Sequence, residues 1–544
     1  MFKSIILLVK IVDGNLKKFL KLQFLIIFAS ITELITVIII PFWFSANLTN
    51  TASNTSIVMQ FIIDNKFYLG LLSIAFIFFS SSLNIYALYR SNLYSFSIGQ
   101  NASYILLKKY LNESYFFHQK NNSSKLISNI NTESLRLANS FLNPFFILNS
   151  KIIVVILIIS FLLFYDPIIT SIALIFFVIF YLLIFGFVRN KLKSNGISIT
   201  EINSDKIKIS EESISAFIEV NLYKLKKTLL ERFYKKGLRY SRVSAITNLI
   251  SKFPKYLIEL LLFSSLILII SKSSVGDGML QTIIVFGFAA YKILPYIQQI
   301  FSTYTVMKAN YNSFEVLESD LLSSSKTKTI YFETKDLETL SLDNIDFGYS
   351  KKKLLSNFSY RFEVGNIYGL VGESGSGKSS LLKIIMGFIS PDSGKLSINN
   401  VTIKNCWLKD VAYVSQQSII LNASIGQNID VNYNGEKKTR NEIISLLESL
   451  GLSLYLKEIN YNLDHILNQK GSNISGGQLQ RIAIARALYI KSRLIIFDEA
   501  TSALDNYNQK LLMKLLKTLA KNSIVIISTH RRETLEYCNY TIKL

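Results

Sequence analysis

Six apolar stretches in the first 310 positions constrain the fold of this chain more than any other feature. Each is close to the roughly 20 residues that a helix needs to cross the lipid core of a membrane. Because lipid offers no hydrogen bonds to exposed backbone groups, such stretches cross membranes as helices. The sequence therefore predicts six transmembrane helices, at about residues 22–44, 67–90, 142–165, 168–188, 255–271 and 278–305.

Composition supports a membrane protein and excludes several other classes. Half of the 544 residues are apolar, 18% are charged, and the formal net charge is +22. The low charged fraction excludes a disordered chain, and a basic excess on so apolar a protein is typical of a positive cytoplasmic face. Nucleic-acid binding is the alternative explanation of the charge. Two cysteines and three widely separated histidines exclude a disulfide scaffold and argue against a zinc site.

Loop charges orient the six predicted helices. The loops at 45–66, 166–167 and 272–277 contain two lysines in total, whereas 100–140 contains five basic residues and 189–255 contains fifteen. By the positive-inside rule, the two basic loops face the cytoplasm. Apolar residues recur in them at three- and four-residue spacing, so both are predicted to be helical and to project beyond the lipid. A solvated retention signal is the alternative for either loop.

The composition changes near residues 321–335, where Ser, Thr and Lys replace the apolar runs. We expect a transmembrane domain at 1–324 with six helices and long cytoplasmic helical loops, a linker at 325–335, and a nucleotide-binding domain at 336–544. The last part alternates short apolar strands with helical segments, which predicts an α/β domain with a mainly parallel sheet. The predicted strands are 367–371, 411–415, 494–498 and 524–528, and the helices lie near 379–387, 440–450, 478–489 and 507–520.

A phosphate-binding loop follows the first of these strands. Residues 372–379 read G-E-S-G-S-G-K-S, a complete G-x-x-x-x-G-K-[ST] between a strand and an apolar helix. Glycines let backbone N–H groups surround phosphates, Lys378 reaches the β and γ phosphates, and Ser379 binds Mg²⁺. The domain is therefore predicted to bind ATP and Mg²⁺. The predicted contacts of the loop are Gly372, Glu373, Ser374, Gly375, Ser376, Gly377, Lys378, Ser379 and Ser380.

Two adjacent carboxylates end a later apolar strand, Leu494-Ile-Ile-Phe-Asp498-Glu499. At a strand end, neighbouring side chains point in different directions and can do different work. Asp498 is predicted to hold Mg²⁺ through water, and Glu499 to polarise the attacking water. The alternative is a buried strand followed by two solvated acids.

Between these motifs stands Ile474-Ser475-Gly476-Gly477-Gln478, followed by an apolar helix. This segment resembles the Leu-Ser-Gly-Gly-Gln signature of the ATP-binding cassette (ABC) exporters, and the likeness extends over essentially the whole chain. It implies an ABC type I exporter-like fold: a membrane α-helical domain followed by an α/β P-loop ATPase domain. It also implies that Ser475, Gly476, Gly477 and Gln478 contact nucleotide. Ile474 replaces the usual Leu, an apolar exchange.

The same resemblance implies roles for four further residues. Tyr349 is similar to the aromatic residue that stacks on adenine, and Gln416 to the glutamine that contacts Mg²⁺ and the attacking water. Asp505 resembles a residue of the loop that links two ATP sites. His530 resembles the switch histidine at the γ-phosphate, which with Glu499 and Gln416 completes the predicted catalytic set.

One position departs from the family pattern: Gln469 stands where exporters usually carry a glutamate before the signature. In the family, the phosphate loop of one ATPase domain and the signature of another enclose each ATP. One chain supplies one of each, so the resemblance implies a dimer, most simply a homodimer. It also implies a multi-pass protein of the bacterial inner membrane with its ATPase domain in the cytoplasm.

Ionisable residues in the apolar stretches indicate where a substrate could bind. Glu33, Arg90 and Lys292 lie in or near the apolar stretches, where ionisable groups are costly unless functional, and are the candidate substrate residues. Residues 31–42 and 290–295 are similar to flippases of lipid-linked oligosaccharides. We therefore expect a flippase of such a lipid-linked glycan. The alternatives are an exporter of a peptide, toxin, lipid or drug-like molecule, and a cassette ATPase acting on nucleic acid, which the six apolar stretches argue against.

Overall fold

The computed structural model describes residues 10, 12, 15–48, 66–272, 277–322, 330–349, 352–373, 375–403, 406–416, 418–467, 474–500 and 504–544. The chain divides into two compact units. The helical unit comprises Met1–Leu111 and Asn121–Ser325, and the α/β unit comprises Asn112–Lys120 and Lys326–Leu544. The short helix α3 (Tyr115–Lys120) therefore belongs to the α/β unit although its neighbours in sequence belong to the helical unit.

Long helices dominate the helical unit. They are α1 (Leu16–Leu48), α2 (Lys66–Leu111), α4 (Ser123–Ser128), α5 (Ser134–Leu137), α6 (Asn143–Tyr165), α7 (Pro167–Ser215), α8 (Phe217–Leu222), α9 (Lys226–Lys272), α10 (Asp277–Ala309) and α11 (Tyr311–Leu322). Each predicted membrane stretch lies in one of six long helices, with only its first residue outside α6 in the third case. Helices α2, α7 and α9 have 46, 49 and 47 residues. At 1.5 Å per residue each is about 70 Å long, more than twice the lipid core.

Three segments of the described chain are long and apolar enough to cross a membrane: Leu16–Ile40, Phe67–Leu111 and Ser123–Tyr165. They contain the first three stretches predicted from the sequence. The other three stretches are helical, and their crossing of the membrane stays a prediction.

The break between α6 and α7 follows from two residues. Asp166 adopts an extended backbone and its Oδ1 accepts hydrogen bonds from the N–H groups of Ile168 and Ile169, both at 3.1 Å. Pro167 takes the first position of α7, where its missing N–H costs nothing. Aspartate as N-cap followed by proline thus ends one apolar helix and starts the next.

Helix α11 is anchored where the helical unit ends. The rings of Phe141 and Phe314 stack at 4.3 Å between centroids, and both are about 1% exposed. Tyr110 Oη donates a hydrogen bond of 2.6 Å to Asp320 Oδ2, which also accepts one from Asn129 Nδ2 at 3.2 Å. Asn129 lies in the π-helical segment Asn129–Glu133, between α4 and α5. Phe141 lies in a second one, Ala138–Leu142, between α5 and α6.

The α/β unit is built from thirteen strands and eight described helices. The strands are β1 (Ile330–Glu333), β2 (Thr339–Tyr349), β3 (Lys352–Glu363), β4 (Ile367–Val371), β5 (Ser393–Ile398), β6 (Val401–Ile403), β7 (Cys406–Lys409), β8 (Ala412–Val414), β9 (Ala423–Ser424), β10 (Ile466–Leu467), β11 (Leu494–Asp498), β12 (Ile524–Ser528) and β13 (Tyr540–Lys543). Besides α3, the helices are α12 (Lys378–Ile385), α13 (Ile425–Ile429), α14 (Lys437–Ser449), α15 (Ser453–Glu458), α16 (Gly476–Tyr489), α17 (Asn506–Ala520) and α18 (Arg532–Leu535).

The predicted parallel sheet is confirmed. It has five strands in the order β13-β4-β12-β11-β8, and every pair is parallel. All residues of β11 and β12 are buried, because an apolar cluster packs against each face of the sheet, and this explains their largely apolar sequences. The edge strand β13 and an antiparallel sheet of order β3-β2-β5-β6 were not predicted. Strands β2 and β3 mix polar and apolar residues and contain register shifts, so their sequence signal is weak.

We predict that Phe314→Ala destabilises the helical unit by about 3–5 kcal/mol, because it removes a fully buried, stacked ring and leaves a cavity. The thermal unfolding of the purified protein in lipid nanodiscs would measure the loss. Phe253 is half exposed, so Phe253→Ala is the matched control and should shift the transition much less. Equal shifts for the two variants would contradict the assigned core.

Candidate nucleotide site

The phosphate loop connects β4 to α12 and depends on glycine. Gly375 and Gly377 have φ values of +85° and +101°, which side chains rarely tolerate. At Gly372 a Cβ atom would lie 2.5 Å from Ser376 Oγ, so a larger residue would collide with the loop. The loop leads directly into the N-terminus of α12, where unpaired backbone N–H groups favour an anion. Ser374 lies outside the described residues.

Two groups in this loop are suited to a phosphate. The Lys378 side chain is buried, and its Nζ donates hydrogen bonds to the carbonyl oxygens of Gly372 and Glu373, at 2.7 and 3.1 Å. Ser376 Oγ is buried without a hydrogen-bond partner in the described part of the chain. An orphaned hydroxyl beside a buried ammonium group fits an anionic ligand, since the ligand would satisfy the hydroxyl and compensate the charge. Ser380, also predicted to contact nucleotide, is buried in the first turn of α12.

Of the three residues predicted to hold Mg²⁺, Ser379 and Asp498 contact each other, whereas Gln416 contacts Glu499. Ser379 Oγ donates a hydrogen bond of 3.2 Å to Asp498 Oδ1, which brings the start of α12 to the end of β11. Burial raises the pKa of Asp498 above its usual value, and the neighbouring charge of Glu499 adds to this. A hydroxyl and a buried carboxylate are oxygen ligands of the kind that Mg²⁺ prefers. These residues therefore fit the predicted ion.

The three predicted catalytic residues meet at Glu499. Gln416 Nε2 donates a hydrogen bond of 3.0 Å to Glu499 Oε2, and His530 Nε2 lies 3.2 Å from Glu499 Oε1. His530 Nε2 is also 3.2 Å from Lys378 Nζ, which ties the catalytic set to the phosphate loop. Glu499 has a φ of +53°, a backbone conformation that is costly for a residue with a side chain. Such strain at the residue after a buried strand is typical of functional sites.

The carboxyl edge of the parallel sheet explains this convergence. The phosphate loop follows β4, Asp498 ends β11, and His530 follows β12 by two residues. Strand β12 pairs with both of the others. Because parallel strands end at one edge, residues far apart in sequence are brought into direct contact there.

Sequence reasoning missed two residues beside Asp498. Lys383 lies four residues after Ser379 on α12, and its charge lowers the pKa of Asp498 in opposition to the burial. Tyr413, in β8, has a pKa raised to about 12 by burial and by the charge of Asp498. Residues four apart share a helix face, so Lys383 lies on the same face of α12 as Ser379. This spacing could have indicated from the sequence that Lys383 is near the predicted magnesium ligands.

Tyr349 ends β2 and was predicted to stack on adenine. Its half-buried ring makes edge contacts with Phe347 at 5.1 Å and with Phe116 of α3 at 6.4 Å between centroids. Helix α3 also contacts α12, where Lys383 Nζ donates a hydrogen bond of 2.9 Å to Tyr115 Oη. Helix α3 thus touches both the predicted adenine side and the helix that begins at the phosphate loop.

The signature residues form a capped helix start. Ser475 Oγ accepts a hydrogen bond from the Gln478 N–H at 3.3 Å, and Gln478 Oε1 accepts one from the Ser475 N–H at 2.8 Å. This reciprocal capping box explains Ser and Gln at this spacing. At Gly476 a Cβ atom would meet nothing within 4 Å, so the position is open to a ligand. Gly477 follows in the first turn of α16. Gln469 lies outside the described residues.

Asp505 is joined to the signature helix through a network that the sequence did not indicate. Asp505 caps α17, with its Oδ1 accepting a 2.8 Å hydrogen bond from the Asn508 N–H. Arg481 of α16 donates from Nη1 to Asn508 Oδ1 at 3.1 Å and to the carbonyl oxygen of Gly451 at 2.7 Å. Burial lowers the pKa of Arg481. The signature serine and Asp505 each cap the helix that follows them. Arg481 of the signature helix then joins the two helices through its hydrogen bond to Asn508.

The three candidate substrate residues lie on separate helices of the helical unit. Glu33 is on α1, Arg90 is exposed on α2, and Lys292 is half-buried on α10. The charged and hydrogen-bonding partners of the Glu33 carboxylate in the described chain are Lys151 and Tyr296. Neither of these was predicted from the sequence.

Comparison with known proteins finds a family model and several proteins to which this chain is similar. Residues 355–502 match the ABC transporter family model. The chain is 27% identical over 438 residues to the heterocyst differentiation ATP-binding protein HepA of Nostoc, covering 78% of this chain and 70% of HepA. It is 36% identical over 203 residues to the ATP-dependent lipid A-core flippase of Pasteurella multocida, covering 36% and 35%. It is 35% identical over 209 residues to the alpha-hemolysin translocation ATP-binding protein HlyB of Escherichia coli O157:H7, covering 37% and 29%.

Other curated ABC proteins of Haemophilus and Rickettsia are matched over half of their own length or less. A solved structure of a bacterial Atm1-family ABC exporter with ATP bound has a TM-score of 0.81 to this chain, at 16% identity, over 98% of this chain and 94% of that one. The likeness establishes the fold. The chain therefore has the fold of an ABC exporter, with an N-terminal helical domain followed by an α/β domain, and the match to the ABC transporter family model lies within that second domain.

Proposed function

We propose that this chain is one half of a homodimeric, ATP-driven exporter of the bacterial inner membrane that flips an amphipathic, lipid-linked oligosaccharide. The observation that carries the proposal is the meeting of Lys378, Ser379, Asp498, Glu499 and His530 at one sheet edge. This hydrolytic site is covalently joined to helices long and apolar enough to cross a membrane. In this proposal, ATP hydrolysis by the chain drives transport across the membrane.

The residues of the site have different proposed roles in ATP hydrolysis. Lys378 and the N–H groups of the loop bind the phosphates, and Ser379 and Asp498 would hold Mg²⁺, which neutralises charge on the phosphates when it is bound. Glu499 is positioned to orient and polarise the attacking water, since Gln416 and His530 fix its two carboxylate oxygens. His530 contacts both Glu499 and Lys378, so it connects the carboxylate with the phosphate loop.

A second copy completes each site in this proposal. The signature helix starts after Ser475 with an open Gly476, and a helix start is suited to a phosphate of a partner chain. Helix α8 supports an interface as well, because its residues Phe217, Ile218 and Leu222, and Tyr223 directly after it, are each about two-thirds exposed. Exposed apolar side chains in one short helix are typical of a surface that another protein covers.

Helix α3 is the proposed coupling element. Phe116 contacts Tyr349 at the predicted adenine side, and Tyr115 accepts a hydrogen bond from Lys383, whose charge acts on Asp498. A change at either end of the nucleotide site would therefore move α3. Since α3 is continuous in sequence with α2 and α4, its movement would act on the helical unit.

Two observations favour a lipid with an anionic headgroup as cargo. A relative is a lipid A-core flippase by name, and the long apolar helices enclose ionisable groups, which are costly there unless they are used. The similarity to HlyB, named for hemolysin translocation, supports the alternative cargo, a peptide or toxin. ATPase activity in nanodiscs, titrated with a polyprenyl-diphosphate oligosaccharide and separately with membrane-active peptides, distinguishes the two. Stimulation by peptides alone would overturn the lipid assignment.

We predict that Glu499→Gln lowers ATP turnover by about 10²–10⁴-fold while ATP binding is retained, because the amide cannot polarise water. Phosphate release and binding of a fluorescent ATP analogue measure the two properties. Glu536 is exposed, so Glu536→Gln is the control and should leave turnover unchanged. Unaltered turnover in Glu499→Gln would show that another group is the catalytic carboxylate.

We predict that Lys378→Ala weakens ATP binding at least tenfold, since the loop loses its buried cation. Direct ATP binding at equilibrium is the measurement, with the exposed Lys510→Ala as a control for general loss of positive charge. Wild-type affinity in Lys378→Ala would contradict the assignment of the phosphate loop.

A further inference from the structure

Three polar side chains from different helices meet inside the helical unit. Lys151 Nζ of α6 lies 3.4 Å from Glu33 Oε2 of α1, and Tyr296 Oη of α10 donates a hydrogen bond to Glu33 Oε1. Lys151 Nζ also lies 4.4 Å from the centroid of the Tyr296 ring. The side chains of Lys151 and Glu33 are 18% and 13% exposed, and Tyr296 is 7% exposed. The cluster is therefore largely enclosed, with small parts of Lys151 and Glu33 still exposed.

The cluster is surrounded by apolar helices. Glu33 lies in the apolar segment Leu16–Ile40 and Lys151 in the segment Ser123–Tyr165, both suited to crossing a membrane. Tyr296 belongs to an apolar cluster built from the same three helices, which includes Val37, Val154 and Val285. The ion pair therefore borders tightly packed aliphatic side chains.

Stability does not explain an ion pair in this position. Moving two charges out of water costs about as much as their attraction returns, and apolar residues of similar volume are often more stabilising. Ionisable groups within membrane helices face the protein interior and mark ligand or ion pathways. The opposite charges of Lys151 and Glu33 also compensate each other, so both groups can remain charged among apolar helices when no ligand is bound.

We infer that Lys151 and Tyr296 form a binding site for the phosphate headgroup of an amphipathic ligand, with Glu33 as an internal counter-anion that the phosphate displaces. This inference rests on the proposed function and names the part of the cargo that is recognised. A phosphate monoester, the simplest such headgroup and the one that the test below uses, carries a charge of about −1.5 to −2, more than one carboxylate, and offers three acceptor oxygens. Lys151 has three donors, and the Tyr296 hydroxyl can turn its proton from Glu33 to a phosphate oxygen.

The arrangement changes the role expected for Glu33. A carboxylate that bound the cargo directly would make Glu33→Gln weaken binding. As a counter-anion that competes with phosphate for Lys151, Glu33 instead opposes binding. Its replacement by the isosteric, neutral Gln should therefore preserve or tighten the affinity for phosphate. A third role, fastening α1 to α6, would make removal of either charge equally harmful.

The test measures direct binding of two lipids to the full-length protein in phosphatidylcholine nanodiscs. The lipids are undecaprenyl phosphate and undecaprenol, which have the same polyprenyl tail and differ in charge. We expect the wild type to prefer the phosphate at least tenfold. Lys151→Met, which keeps the length and removes the charge, should reduce that preference to about one. Glu33→Gln should keep or increase it. Lys125 is exposed on α4, so Lys125→Met is the matched control and should retain the preference. Basal ATP hydrolysis confirms that each variant is folded.

Three results would overturn the inference. One is equal binding of phosphate and alcohol by the wild type, and another is a preserved preference in Lys151→Met. The third is a similar loss of phosphate binding in Glu33→Gln and Lys151→Met with recovered thermal stability in the double variant, the result expected of a helix fastener.

A flipping assay separates this inference from the proposed function. Selective phosphate binding at Lys151 without ATP-driven flipping of any lipid-linked sugar would refute the cargo assignment and leave the site standing. ATP-driven flipping of a lipid-linked sugar, together with equal binding of the phosphate and the alcohol, would support the cargo assignment and refute the phosphate site.

Discussion

The parallel pairing of β12 with β4 and β11 is the constraint on which the catalytic chemistry depends. Because these strands run in one direction, the phosphate loop, the two carboxylates and His530 follow strands that end side by side. Burial of the strands on both faces holds them in register, and their carboxyl ends therefore present a rigid frame. Only on such a frame can Glu499 be kept in a left-handed backbone conformation with both of its oxygens engaged.

Several contacts tie this frame to other parts of the α/β unit. Lys383 connects the charge of the magnesium site with Tyr115 of α3, and Arg481 connects the signature helix with the loop capped by Asp505. Both are charged residues one or two turns along a helix whose first turn carries a nucleotide motif. Each helix thus connects a predicted phosphate-binding motif at its start with contacts farther along the chain.

The helical unit uses buried polar groups in two different ways. Near its end, Asp320, Tyr110 and Asn129 satisfy one another and anchor the last helix beside stacked aromatic rings. In the membrane segments, Glu33 and Lys151 compensate each other's charge with less complete hydrogen bonding. The first group is typical of a structural network, in which every member has partners. The second retains donors that a ligand can use, since Lys151 has three.

By itself the sequence determined the features that depend on local order. The length of the apolar stretches, the strand-loop-helix order around Gly372 to Ser379, and the Asp498-Glu499 pair after an apolar strand were sufficient to predict an ATPase joined to membrane helices. Each depends on spacing that a helix or strand imposes within about twenty residues.

Only the tertiary structure decided which distant residues meet. The edge strand β13, the antiparallel sheet, the partnership of Arg481 with Asn508, and the pairing of Glu33 with Lys151 across 118 positions follow from the packing of whole elements. Local periodicity contains no information about which helix face will lie against which neighbour. For this reason the sequence indicated that Glu33 was unusual, whereas the structure identified its counter-ion.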